Sequence, residues 1–161
     1  MTRSGRPREY EPIADDISFA IQNMDNDKAR ELLAGLSVDI LDGDGRSPLI
    51  YAALSGNLEM LEWLIKNEAS IDMQDRGGWT ALHAASQNQH ARIVSKLIEN
   101  NANTNLTDNH GNGPLWTATM NARGDDAIAN KLREAGADGD HKNNHDNSPN
   151  DMVKLITGSS N

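Results

Sequence analysis

The sequence predicts an all-α solenoid of helix-turn-helix units joined by short turns or β-hairpins, and three observations predict it. Leu49, Leu82 and Leu115 recur at a constant interval of 33 residues, inside segments that realign along their length. Helix-start chemistry recurs with them: Ser47 and Thr80 precede two of these leucines, and Pro48, Pro114 and a further Pro149 stand at first helical positions. Finally, three Trp, two Tyr and one Phe among 161 residues, with 37% hydrophobic residues, are too few large side chains for one round core. A thin core shared between stacked copies is the arrangement such a chain can fill.

Each element follows from local chemistry. A degenerate first unit spans 14–42, with Ile17, Phe19, Ala20 and Ile21 in one helix and Ala29, Leu32 and Leu33 in the next. Its acidic residues Asp15, Asp16, Asp25 and Asp27 suit a face turned to water at the end of a stack. Full copies are expected at about 43–74, 75–107 and 108–142. In these, Ala52-Ala53 and Ala84-Ala85 keep an inner helix thin enough for a neighbour to approach. Leu58, Leu61, Leu64 and Ile65, matched by Ile93, Val94, Leu97 and Ile98, give the outer helices an apolar face at helical spacing. Gly45, Gly78 and Gly111 mark the turns between copies, where positive φ is expected. A closing helix at 143–156 carries Met152, Val153, Leu155 and Ile156. The repeat domain is therefore drawn at 13–156, between a disordered arm at 1–12 and a disordered tail at 157–161. Trp63 and Trp116 are assigned to the core.

These segments resemble the ankyrin repeat. The resemblance rests on Ser47-Pro48-Leu49-Ile50-Tyr51-Ala52-Ala53, Thr80-Ala81-Leu82-His83-Ala84-Ala85 and Gly113-Pro114-Leu115-Trp116-Thr117-Ala118. Asn67-Glu68-Ala69-Ser70, Asn100-Asn101-Ala102-Asn103 and Ala135-Gly136-Ala137-Asp138 support it in register. It implies about three full repeats between two caps, and a structural hydrogen bond from His83 to the next copy. The pattern is broken in places. Glu68 and Asn101 stand where glycine closes the outer helix, and Glu68 should be strained or locally rearranged. Ile50 and Trp116 replace the usual histidine, and two extra residues enter around Ala122 to Asp126.

Chemistry is sought and mostly not found. No nucleophile elbow, phosphate loop or zinc-binding His-Glu-x-x-His stretch is present, so the chain is expected not to be an enzyme and to need no cofactor or metal. Asp42-Gly43-Asp44-Gly45 weakly resembles a calcium loop, but Arg46 takes a ligand position. His141 and His145 have the spacing of a metal pair yet sit in a Gly/Asn-rich turn with no third ligand. With no cysteine there is no disulfide. No apolar stretch follows the basic N-terminal residues, so no secretory signal is visible and a cytoplasmic location is expected.

Surface is what remains. Ankyrin stacks bind folded proteins on a concave face of hairpin tips and inner helices. Mapped onto this sequence, the tips present Asp44 and Arg46, then Arg76 and Trp79, then Asn109, His110 and Asn112, then Asn144, His145 and Asn147. The inner-helix ends present Leu54 and Ser55, Gln87 and Asn88, and Met120 and Asn121. Trp79, after two glycines and near Arg76, has the composition of a binding hot spot and is expected to be exposed. The formal net charge of -9 favours a basic protein partner and disfavours nucleic acid or membrane. The charge is uneven: residues 14–43 carry seven acidic side chains against two basic, whereas residues 77–107 carry one against two. The expected protein is a small monomeric binding module. Its resemblance extends to the immunity proteins that block a basic bacterial toxin, with an adaptor bridging two proteins as the alternative.

Overall fold

The computed structural model describes residues 12–158. Nine helices form among them: α1 (Ile13–Gln22), α2 (Asn26–Leu33), α3 (Pro48–Ser55), α4 (Leu58–Lys66), α5 (Ala81–Gln87), α6 (Ala91–Glu99), α7 (Pro114–Asn121), α8 (Ala127–Glu134) and α9 (Pro149–Thr157). An inner row packs α1 against α3, α3 against α5, α5 against α7 and α7 against α9. An outer row packs α4 against α6 and α6 against α8, and each outer helix pairs with the inner helix before it. The core is one continuous ribbon between the rows. Leu49, Leu82 and Leu115 are its recurring element, joined by Met60, Leu61, Leu64, Ile93, Leu97 and Leu132. Ala52, Ala53, Ala84 and Ala85 are fully covered, which lets the inner helices approach closely.

Helix starts follow the predicted chemistry. The side chains of Ser47 and Thr80 accept the N–H of Ile50 and His83, and Pro48, Pro114 and Pro149 open their helices. The Ser148 hydroxyl and Asp151 carboxylate form a reciprocal cap on α9. Outer helices all end on a left-handed residue: Gly35, Glu68, Asn101 and Gly136. Of the two outcomes expected for it, strain and rearrangement, Glu68 shows strain. It keeps φ at 65°, at a cost of about 1–2 kcal/mol for a side-chain residue, because the N–H of Ala69 reaches back to the Leu64 carbonyl and Ala69 is buried.

The connections between copies are turns, with no strand among the described residues. Four such fingers span 42–46, 75–79, 108–112 and 143–147. In each, the first residue (Asp42, Asp75, Asp108, Asn143) accepts two backbone N–H groups with its Oδ1 and closes a backbone loop onto the fifth residue. Neighbouring fingers share one backbone bond each: Arg76 N–H to Asp44 O, Asn109 N–H to Gly77 O, Asn144 N–H to His110 O. At Gly78, φ is 83° and a Cβ would lie 2.8 Å from the Asp108 Cα, so both conformation and finger spacing require glycine.

The arm drawn at 1–12 and the tail drawn at 157–161 fall mostly outside the described residues. Inside them, Pro12 lies in a turn, and α9 runs through Thr157 to a left-handed cap at Gly158, one residue past the expected boundary. Trp63 and Trp116, expected in the core, are instead half-buried. Trp63 is on the outer row, where the Arg30 guanidinium covers its ring at 5.9 Å and an ion pair to Glu59 holds that guanidinium in place.

Candidate functional site

The first two fingers and the inner helices α3 and α5 enclose an open groove of about 420 Å³. Asp44, Arg46, Arg76 and Trp79 come to it from the finger tips, Gln87 from the end of α5, and Ile50 and Leu54 form its floor. Six of the residues assigned to a binding surface from sequence thus converge: Asp44, Arg46, Leu54, Arg76, Trp79 and Gln87. Gln87 also lies with Asn88 and Asn121 in a second hollow, beside Arg123 and Asp125 of the longer α7–α8 connection.

A network of side chains holds the groove's first wall. Asp42 accepts the N–H groups of Asp44 and Arg46 on one oxygen and the Tyr51 hydroxyl, at 2.5 Å, on the other. This use of the carboxylate accounts for the calcium-like spacing. Burial, reinforced by Asp42, pushes the Tyr51 phenol above its ordinary range, so Tyr51 stays a neutral donor. The Arg46 guanidinium lies 6.0 Å from the Tyr51 ring and donates through Nε to Asp75 Oδ2 at 3.3 Å. Burial alone would lower the Arg46 pKa, but its bonds to Tyr51 and Asp75 outweigh burial and raise it.

The second wall is Trp79, which, expected to be exposed, is half-buried. Its indole stacks on the His83 ring at 6.0 Å with 27° between planes, and its backbone N–H donates to Asp75 Oδ1. His83 is itself fully buried. Its Nδ1 accepts the Thr80 N–H, so Nε2 carries the proton and donates to the Asn112 carbonyl of the next finger at 3.0 Å. Burial lowers the His83 pKa below 6.5, and the Asn112 carbonyl and the charges of Asp108 and Asp75 offset it only in part. Trp79 therefore rests on a neutral, fixed ring.

The remaining assigned residues divide. Asn109 and His110 are exposed at the third tip, where the Asn109 amide donates to the Arg76 carbonyl. Asn112 is occupied structurally: it accepts His83 on its carbonyl and the Asn143 amide on its Oδ1. Asn121 is half-buried and donates within its own helix, while Met120 is exposed. His141 and His145 are exposed, and no group of three or more potential ligands is placed to hold a metal among the described residues. Sequence reasoning missed Asp75 and Tyr51, whose role depends on residues 29 and nine positions away; the repeated Asp at the start of three fingers was the available signal.

The stacked helix pairs and their fingers define a helical repeat solenoid. The family model for ankyrin repeats (3 copies) matches residues 17–108 and 61–143, and the chain belongs to that family. It is a protein–protein interaction module. No curated protein matches it. No helix among the described residues is long and apolar enough to cross a membrane.

Proposed function

We propose that the protein is a non-enzymatic inhibitor of the immunity type, which lays its groove face over the working surface of a protein, such as a basic bacterial toxin, in the cytoplasm. The observation that carries this reading is the preformed groove around Trp79. Asp75 fixes the Trp79 backbone N–H and His83 stacks on the indole before any partner arrives, so association loses less side-chain entropy. Of the carboxylates lining the groove, Asp75 is filled by N–H donors and Asp44 lies 3.7 Å from Arg46; behind the walls Asp42 is filled, Tyr51 is held neutral and His83 is buried. The net charge of -9 supports attraction of a basic partner over long range.

The test is to capture the partner with the full chain, then assay that partner's own activity with stoichiometric chain added. Loss of activity is expected, and Trp79→Ala should weaken binding by about 30-fold with little change in melting temperature, as for a hot spot worth about 2 kcal/mol. A bound partner whose activity is untouched would favour the second reading, an adaptor. That reading has its own observation: Leu155 and Ile156 on α9 are 70% and 65% exposed, apart from the groove, and offer a second surface.

A further inference from the structure

We propose that the groove between the first two fingers accepts an acidic–apolar pair from its partner: a carboxylate on Arg76 with an adjacent apolar or aromatic side chain between Trp79 and Leu54. This inference rests on the binding reading above and names the chemistry of that contact. The apolar half follows from the walls. The half-buried Leu54, backed by the buried Ile50, gives the groove an aliphatic side, and Trp79 lines it too with its ring stacked on His83. A planar or branched side chain entering the groove of about 420 Å³ meets apolar surface from both residues.

The charge follows from which groups are still free. Asp75 Oδ1 accepts from Gly77 and Trp79, and its Oδ2 accepts from Arg46. Asp42 is filled in the same way, by Asp44, Arg46 and Tyr51. Asp44, the exposed carboxylate, is 3.7 Å from Arg46, so an incoming cation would have to compete with an arginine already in place. Arg76 differs. It is exposed and makes no ion pair among the described residues. Its backbone is anchored on both sides, N–H to the Asp44 carbonyl at 3.0 Å and carbonyl to the Asn109 amide at 2.9 Å. Its stem crosses Gly45, where a Cβ would come within 3.2 Å of the Arg76 Cγ. A fixed arginine with unmet donors is matched by a carboxylate, which it can grip at two points.

The acidic balance of the whole chain does not oppose this. Its densest cluster, Asp15, Asp16, Asp25 and Asp27, belongs to α1, α2 and the turn between them, outside the groove lining. Exposed charges lose most of their influence beyond a Debye length of about 8 Å at physiological salt. Long-range steering by the acidic cap and direct contact at Arg76 therefore act at different distances.

The experiment uses the full ¹⁵N-labelled chain and two matched probes, 3-phenylpropionate and 2-phenylethylamine. Binding is followed by NMR at the Gly77 and Gly78 amides and the Trp79 indole N–H. Phenylpropionate should shift these signals saturably and bind about fivefold tighter than phenylethylamine, the scale of an exposed ion pair. Arg76→Gln should erase the preference and Arg76→Glu should reverse it, each with an unchanged melting temperature because the Arg76 side chain holds no structural bond. Equal binding of the two probes, preference for the amine, shifts confined to other residues, or no saturable shift would each overturn the proposal. Because no protein partner is used, its failure is separable from that of the inhibitor reading. A captured and inhibited partner with no carboxylate preference sinks only the groove chemistry. A carboxylate preference with no inhibited partner sinks only the inhibitor.

Discussion

The middle of the stack and its C-terminal end share one backbone plan but differ in how their side chains use it. In the middle, Thr80 caps α5, and His83 joins that cap to the third finger through a buried, fully used imidazole. One repeat later Gly113 stands at the cap of α7 with no side chain to offer, and Trp116 replaces the histidine. A cavity of about 180 Å³ opens beside that tryptophan, lined also by Asn105, His141 and Pro149. The connection from α7 to α8 is longer and carries Arg123 and Gly124 at positive φ. The comparison shows that the turn-to-turn backbone ladder tolerates exchange of the side chains between units. Stability should therefore concentrate around α5, where cap and imidazole occur together, whereas α7 has neither and α9 regains only a cap.

The strongest way to break that comparison is to truncate a leucine in each region. Leu97→Ala, at a fully buried position, should destabilise by about 2–5 kcal/mol in denaturant unfolding, whereas Leu155→Ala at a 70% exposed site should stay within about 0.5 kcal/mol. Equal losses would mean that the end is as tightly packed as the middle. Next in size is His83→Gln, expected to cost about 1–3 kcal/mol by leaving buried partners unpaired. The same residue gives a pH signature. Its folded pKa lies below the unfolded value near 6.5, so the unfolded chain binds more protons just below that pH. Its contribution is complete above about pH 6.5 and is lost as pH falls towards the folded pKa, and a melting-temperature series should show this slope in the wild type and not in His83→Gln.

Two gains sharpen the contrast. Ser86 is fully buried in α5, and its hydroxyl has no hydrogen-bond partner among the described residues. Ser86→Ala should stabilise by about 1 kcal/mol, read as a raised denaturation midpoint with an unchanged slope. Gly113→Ser supplies the missing cap on α7. The backbone there is extended (φ -90°) and a Cβ would meet nothing nearer than 3.7 Å, so a gain of a few tenths of a kcal/mol is expected. A loss at Gly113 would show that the end is strained in a way its caps do not reveal.

Particular residues show how far the fold could be read in advance. Ser47, Thr80 and the three helix-opening prolines were legible because capping is decided within four residues of chain. That Glu68 would be strained was legible from its own preference against positive φ; that it would keep the turn was not, since this depends on the buried Ala69 and its bond to the Leu64 carbonyl. Trp63 packs against the core under Arg30 although only half-buried, whereas Trp116 is half-buried outside that cluster, because a large ring at an apolar-looking position does not say how far a neighbour covers it. Of the groove, the tips and the end of α5 were legible from the repeat register, and the anchoring roles of Asp75 and Tyr51 were not.

By itself the amino-acid order determined the repeat, its turns and its helix ends, since each depends on φ preferences, caps and spacing over a few residues. Which carboxylates are filled, which arginine stays free and how deeply Trp79 sits were decided only when residues about 30 positions apart were packed side by side. Such pairings follow from distance in space, and one-dimensional periodicity brings whole copies into register without saying which side chains will meet.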